Sequence, residues 1–169
     1  LCAIGCQEAV NYSFIDRQLL AAVKQDDRVL PLANPLSADL DAMRTTLLPG
    51  LLAALGRNQR RQQARVRLFE SGVVFQQAAV LAEIDRVAAV ASGDALPEQW
   101  GAPARALDFF DVKGDVERLL ALRGGGQVAE FAPASLAWLH PGASAVIKLQ
   151  DMTVGWCGAV HPAVLKALE

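Results

Sequence analysis

Four residue sets in this sequence are of types that could bind a ligand or take part in a reaction. The first is an acidic cluster around Lys113, and carboxylates are the ligands that Mg²⁺ prefers. Carboxylates in this arrangement are also typical of the cap and first turn of a helix, and we favour that interpretation, with Asp111 as the cap. The cluster consists of Asp108, Asp111, Asp115 and Glu117.

The second set is the two histidines and the third is a glycine run. His140 and His161 each precede a proline, which holds the backbone extended. Neither lies at a useful spacing from a nucleophile or from further metal ligands, so we predict turn or packing roles. The glycines at 124–126 follow a predicted helix, which favours a helix end over a phosphate-binding loop.

The fourth set is a group of arginines that lie close together in sequence. They could contact nucleic-acid phosphates, form the solvated end of a helix, or pair with carboxylates on a partner. The chain has a net charge of −2, whereas a domain that grips nucleic acid usually has a strong basic excess, so we favour the last two. The group consists of Arg57, Arg60, Arg61, Arg65 and Arg67.

The composition predicts one domain that buries surface against a partner. The chain has 169 residues, 53% of them apolar, and no apolar run approaches the roughly 20 residues that span a bilayer. Cys2, Cys6 and Cys157 lack zinc-ligand spacing, which predicts reduced thiols in a cytoplasm. The first residues read as the end of a helix, so we expect a fragment of a longer chain, truncated at both ends.

The stretch 44–76 is predicted to form an amphipathic helix, a basic hinge and a strand. A hydroxyl of Thr45 or Thr46 can cap the helix. The strand-forming residues at 66–75 are expected to bend at Gly72. One helix face is either ordinary core or a seam with another helix, and it carries Leu48, Leu51, Leu52 and Leu55.

The remaining patterns predict short strands with a few helices between them. The predicted strands are 8–15, 29–32, 84–92, 128–131, 143–149 and 153–160, and the strand at 84–92 is expected to be buried. The predicted helices are 17–24 after an Asp16 cap, one from Asp111 towards 120, and one from Pro162 to the end. Strands joined largely by hairpins favour an α+β fold, an antiparallel sheet flanked by helices.

Five segments, in this order, resemble the synthetase-like core module of the bacterial phenylalanyl-tRNA synthetase beta subunit. They are residues 5–14, 32–37, 44–75, 111–117, and 140–142 together with 155–162. The resemblance implies a class II aminoacyl-tRNA synthetase-like fold over 1–169. It implies an enzyme of two alpha and two beta chains that uses ATP and Mg²⁺ to attach phenylalanine to its tRNA.

The resemblance also implies that this module is a catalytically silent counterpart of the alpha active site. A class II site needs an arginine for the ATP α-phosphate and a carboxylate near the adenine. Gln76 and Ala78 stand in those places, and neither can neutralise phosphate charge or accept the adenine hydrogen bond. We expect Glu70, Gln76 and Ala78 to be remnants of an ATP site, and no catalytic, cofactor or metal residue here.

The partners that the resemblance implies are the alpha subunit and a second beta subunit, with tRNA(Phe) held mainly by other regions and no membrane. The expected interface residues are Arg44, Thr45, Leu48, Leu51, Leu52, Leu55 and Asn58. Two alternatives remain. One is a tRNA-contacting module that uses the arginines at 57–67, and the other is a self-sufficient amino-acid-activating ligase.

Overall fold

The computed structural model of the protein describes residues 1–25, 28–77, 80–122 and 128–168. Its contacts divide the chain into two compact units, which we call the N-terminal unit, Cys2–Ser92, and the C-terminal unit, Gly93–Lys166. The N-terminal unit holds a 3₁₀ turn Cys2–Ile4, β1 Gln7–Glu8, β2 Phe14–Ile15, α1 Arg17–Ala22, β3 Ala42–Met43, α2 Leu48–Arg60, β4 Val66–Gln76 and β5 Ala82–Ser92. The later elements are α3 Phe109–Ala121, β6 Glu130–Pro133, β7 Leu139–Leu149, β8 Met152–Val160 and α4 Pro162–Ala167.

A long hairpin of β4 and β5 is the centre of the N-terminal unit. The two strands pair antiparallel in unbroken register from Val66 opposite Ser92 to Gln76 opposite Ala82. The predicted bend at Gly72 was wrong, because Gly72 continues the ladder opposite Arg86. β1 adds a short parallel pairing on the other side of β4, while β2 and β3 form a separate antiparallel pair.

Helix α2 packs its leucine face on this hairpin. Leu51 is fully buried and Leu52 and Leu55 nearly so, which places these three side chains in the unit's own core. The prediction that Thr45 or Thr46 is the N-cap residue of α2 was wrong. The N-cap residue is Leu47, which makes no side-chain cap bond, and only a long 3.4 Å contact joins the Leu48 amide to the Thr46 hydroxyl.

The segments before α2 follow the prediction in part. Asp16 caps α1 as expected, its carboxylate accepting from the Gln18 amide at 2.7 Å. The predicted strand 8–15 is instead two short strands with an irregular link, and the predicted strand 29–32 reduces to a bridge between Pro31 and Ala42. Alternation along this segment did not reveal that Asn11 donates a hydrogen bond to the carboxylate of Glu70, which is 59 residues away.

The C-terminal unit is a three-stranded antiparallel sheet, ordered β6-β7-β8, with α3 packed on one face. Ala145, Ile147 and Cys157 form the buried layer of the sheet. Val112, Val116 and Leu120 of α3 pack on that layer, joined by Phe109, Ala129 and Phe131. Gln150 and Asp151 turn the β7–β8 hairpin with positive φ angles of 48° and 57°, as a tight hairpin requires.

The structure is thus α+β, with antiparallel sheets and helices packed on them, as predicted, apart from the parallel β1–β4 contact. Helix α3 begins two residues before its predicted cap, because Asp108 and not Asp111 is the N-cap. Among the residues that the structure describes, no helix has the length and apolarity to cross a bilayer. The predicted glycine turn at 124–126 lies outside the described residues.

Candidate functional site

A buried ion pair lies over β4, where the resemblance places the remnant of an ATP site. Nη1 of Arg44 donates to Oε1 of Glu70 at 2.6 Å, and the two side chains are only 7% and 4% exposed. Nε of Arg44 donates to the carbonyl of Val73 at 2.9 Å. The backbone of Arg44 adds two bonds, accepting from the Phe75 amide and donating to the Ser13 carbonyl. Hydrogen bonds therefore hold both the backbone and the guanidinium of Arg44 in place.

Asn11 completes the site from the link between β1 and β2. Its side-chain amide donates to Oε2 of Glu70 at 2.7 Å, and its backbone amide lies 3.4 Å from Oε1. Both carboxylate oxygens of Glu70 thus have donors, as a buried charge requires. We call Asn11, Arg44 and Glu70 the β4 network.

Two glycines make room for the β4 network. A Cβ at Gly72 would lie 2.5 Å from Nη2 of Arg44, so any side chain there would displace the guanidinium. A Cβ at Gly50, in the first turn of α2, would lie 2.9 Å from Cβ of Asn11. The glycine that was predicted to bend β4 instead lets an arginine lie across it.

The β4 network has no charge to offer a ligand. The positive charge of Arg44 is neutralised by Glu70, and both groups are withdrawn from solvent. A phosphate would have to displace a carboxylate that is already held by two residues. The arrangement is suited to fixing the β1–β2 link and the segment just before α2 on β4.

The half-buried side chain of Gln76 lies at the far end of β4, on an open depression of about 250 Å³. Gln25, Arg28 and Thr45 also line it, and of these described residues Arg28 alone is charged. The Thr45 hydroxyl donates to the Gln25 carbonyl at 2.5 Å, which closes one wall. The third expected remnant, Ala78, lies outside the described residues.

The structure divides the expected interface residues between core and surface. Arg44, Thr45, Leu51, Leu52 and Leu55 are buried within the chain itself. Leu48 is half-buried at the start of α2 and keeps part of its surface. Asn58 is also half-buried, and its amide donates back to the Ala54 carbonyl of the same helix at 2.9 Å.

Two exposed apolar side chains that were not predicted lie on either side of Asn11. Val10 is 90% exposed and Tyr12 78% exposed, although Asn11 between them is tied to Glu70. Alternation along 9–13 was visible in the sequence, but it did not show which side of the link faces inward. An aromatic residue held outward by a fixed backbone has the character of an interface anchor.

The acidic cluster of the C-terminal unit is a helix cap, as we favoured. Asp108 accepts from the amides of Phe110 and Asp111, and Asp111 accepts from the amide of Asp108. Arg105 pairs with Asp111 at 2.7 Å, and this hydrogen bond, with the one from the Asp108 amide, lowers the pKa of Asp111 well below its usual range. The described residues include no group of three or more metal-ligating side chains.

The two histidines meet in the C-terminal unit, which their sequence positions did not suggest. Their rings stack with centroids 6.5 Å apart. Nδ1 of His140 accepts from the Gly142 amide and Nδ1 of His161 from the Ala163 amide, each at 3.1 Å. His140 lies near the start of β7 and His161 directly precedes α4, so each ring makes a local contact near the end of a strand, in keeping with the predicted packing role.

Comparison with known proteins finds one consistent set of relatives. A family model described as the phenylalanyl tRNA synthetase beta chain CLM domain matches residues 1–169. The chain is 50% identical to the phenylalanine--tRNA ligase beta subunit of Xanthomonas campestris pv. campestris (strain 8004). It is 49% identical to that of Xanthomonas axonopodis pv. citri (strain 306) and 47% identical to that of Xylella fastidiosa (strain Temecula1 / ATCC 700964). Each comparison covers 100% of this chain and 22% of the relative, so the chain spans less than a quarter of their length.

Proposed function

We propose that this chain, which belongs to the phenylalanyl tRNA synthetase beta chain CLM domain family, is a non-catalytic structural module of phenylalanine–tRNA ligase. The observation that carries the proposal is the β4 network. The arginine and carboxylate over β4 are buried against each other and bonded to the chain's own backbone. In a class II synthetase-like site, groups in this region would instead be open to ATP.

In the proposed role, the module packs against the alpha subunit of an assembly of two alpha and two beta chains in the cytoplasm. ATP and Mg²⁺ are bound by the alpha subunit, and tRNA(Phe) is held mainly by other regions. A displacement of about 1 Å at an active site can lower the rate on the order of 100-fold. A rigid module packed beside the alpha active site would therefore help to keep the reaction fast. The bonds from Asn11 and Arg44 to β4 give this module that rigidity.

The surface that we assign to the alpha subunit lies at the β1–β2 link and the start of α2. Val10 and Tyr12 project from a backbone fixed by Asn11, and Asn11 packs on Gly50 in the first turn of α2. The half-buried Leu48 begins the same turn. Anchors of this kind lose little conformational freedom on binding, which favours affinity.

The test places aspartate at both anchors in the full-length beta chain, as Val10→Asp with Tyr12→Asp. Loss of a hot-spot residue costs about 2 kcal/mol or more, roughly 30-fold in affinity, and an unpaired buried charge costs more. We expect alpha to be lost on co-purification. The matched control, Leu36→Asp with Val80→Asp, changes two apolar residues of similar exposure elsewhere and should retain alpha. Wild-type yield and aminoacylation by the anchor variant would refute the assigned surface.

A further inference from the structure

The two histidines lie side by side where β7 and β8 pair and α4 begins. Leu139 of β7 pairs with Val160 of β8, and the amide of His161 donates to the carbonyl of Trp138 at 3.0 Å. This strand register brings the rings of His140 and His161 together, with centroids 6.5 Å apart and ring planes 29° apart. We call these two residues the histidine pair.

The hydrogen bonds of the histidine pair fix the position of the proton on each ring. Nδ1 of His140 accepts from the Gly142 amide and Nδ1 of His161 from the Ala163 amide, each at 3.1 Å. A nitrogen that accepts a hydrogen bond carries no proton, and a neutral imidazole has a single proton, so that proton lies on Nε2 in both rings. The nitrogen that remains to take up a second proton is Nδ1. Proton uptake therefore breaks each bond to the backbone, because both groups are then donors.

The bond that His161 would lose is the cap of α4. The His161 carbonyl accepts from the amides of Val164 and Leu165. Its ring accepts from the Ala163 amide, and Pro162 at the first helical position has no amide hydrogen. The ring therefore acts as an N-terminal cap. A positive charge at a helix N-terminus is unfavourable, and a helix of six residues is marginal without its tertiary contacts and cap.

The charged groups on the elements around the histidine pair would not stabilise two positive rings. Besides the pair, β7 and α4 carry only Lys148 and Lys166, which are also positive. β8 and residues 134–138 have no charged side chain, and the titratable Cys157 of β8 is buried against α3. Glu130 of β6 lies opposite Lys148. Among the described residues no ion pair includes a histidine, and the carboxylates of α3 pair instead with Arg105, Lys113 and Arg118.

We propose that the histidine pair is a proton-sensitive latch on α4. In the neutral form the two rings bond the start of β7 and cap α4, and proton uptake at the two Nδ1 atoms releases both contacts. Three effects act in this direction: loss of the cap, positive charge at the start of α4, and repulsion between the two rings. Histidine ordinarily changes charge between about pH 5 and about pH 8, so the latch opens in that range. Because Val164 is only 2% exposed, release of α4 uncovers an apolar side chain.

The test measures hydrogen exchange by mass spectrometry in the full-length beta chain purified with alpha. Peptides that cover residues 140–143 and 162–167 are followed from about pH 8 to about pH 5, with each rate divided by the intrinsic chemical rate at that pH. Loss of a cap shifts a helix equilibrium about fivefold, and the unfavourable charges add to this, so protection of these peptides should fall about tenfold in acid. Peptides of β4 should keep their protection, which separates local opening from unfolding.

Asparagine variants separate the hydrogen bond from the charge. The side-chain oxygen of asparagine can accept from the amide two residues further on, as Nδ1 does here, but asparagine does not titrate. The double variant His140→Asn with His161→Asn should therefore keep the protection seen at about pH 8 and lose its acid dependence. His161→Ala should lose protection of α4 in both conditions, because the cap itself is gone. Unchanged protection of the wild type in acid, an equal acid loss in the double variant, or full protection in His161→Ala would each overturn the latch.

Discussion

Removing one member of the buried Arg44–Glu70 pair should be among the most damaging single changes to the N-terminal unit. In Arg44→Met, the carboxylate of Glu70 keeps its donor Asn11 but loses its counter-charge in a site that is 4% exposed. Breaking a buried ion pair from one side costs about 3–5 kcal/mol. Because whole domains are stable by about 5–15 kcal/mol, the variant should lose a large part of its stability.

The matched control is an ion pair of the same unit that lies at the surface. Arg17 and Asp41 are 3.2 Å apart, with side chains 52% and 30% exposed. Such pairs contribute about 0–1 kcal/mol, so Arg17→Met should change stability by no more than that. The double variant Arg44→Met with Glu70→Gln should cost less than the sum of the two single changes, because neither charge remains unpaired.

A substitution at Gly72 tests the same buried ion pair in a second way, because Gly72 lies against the guanidinium of Arg44. In Gly72→Ala, the new methyl group would lie 2.5 Å from Nη2 of Arg44, so the guanidinium must move. We expect clear destabilisation in the wild type and a smaller cost when Arg44→Met is already present. An unchanged cost in that background would show that strain in the strand, and not the guanidinium, is responsible.

The assay must report on the N-terminal unit specifically. Trp100, Trp138 and Trp156 all lie in the C-terminal unit, so tryptophan fluorescence would miss the effect. Hydrogen exchange of β4 amides in a urea series reads the opening free energy directly. Equal losses for Arg44→Met and Arg17→Met would refute the argument that burial makes the first pair important.

Three further predictions concern packing, pH and thiol chemistry. Leu51→Ala should cost about 2–5 kcal/mol in urea unfolding, since Leu51 is fully buried, and a neutral result would mean that this face is not core. Because Arg105 lowers the folded pKa of Asp111, the resulting stabilisation of α3 should be present above about pH 4 and be lost as the pH falls below it. Hydrogen exchange of α3 should show this acid loss in the wild type and not in Asp111→Asn. Burial raises the pKa of Cys157, so iodoacetamide should label the exposed Cys2 first, and the reverse order would contradict the burial.

Local sequence patterns were sufficient to predict most of the helices and strands. The segments 84–92 and 153–160 were predicted as strands and are β5 and β8, joined in the second case by the predicted turn at 150–151. The prediction that 84–92 is buried was wrong, because no residue of β5 is buried and Val87 is 53% exposed. Asp16 was found as a cap because its hydrogen bond reaches only two residues along the chain. Interactions of this range are encoded in neighbouring residues, so one sequence is enough to predict them.

The β4 network could not be predicted from local sequence patterns. Arg44 and Glu70 are 26 residues apart, and Asn11 and Glu70 are 59 apart, so no local spacing connects them. Arg44 was predicted at an interface and Glu70 at an ATP-site remnant, but their pairing was not predicted. The role of Gly72 depended on that pairing, which is why a glycine in a continuous strand was taken for a bend.

We propose that the module does not bind a nucleotide, because the charges of Arg44 and Glu70 over β4 are committed to each other. Calorimetric titration of this chain with ATP and Mg²⁺, with and without phenylalanine, tests it most directly. We expect no saturable heat up to millimolar ATP. Saturable binding in the micromolar range that is lost in Arg44→Met or Arg28→Gln would contradict the account and favour an amino-acid-activating ligase.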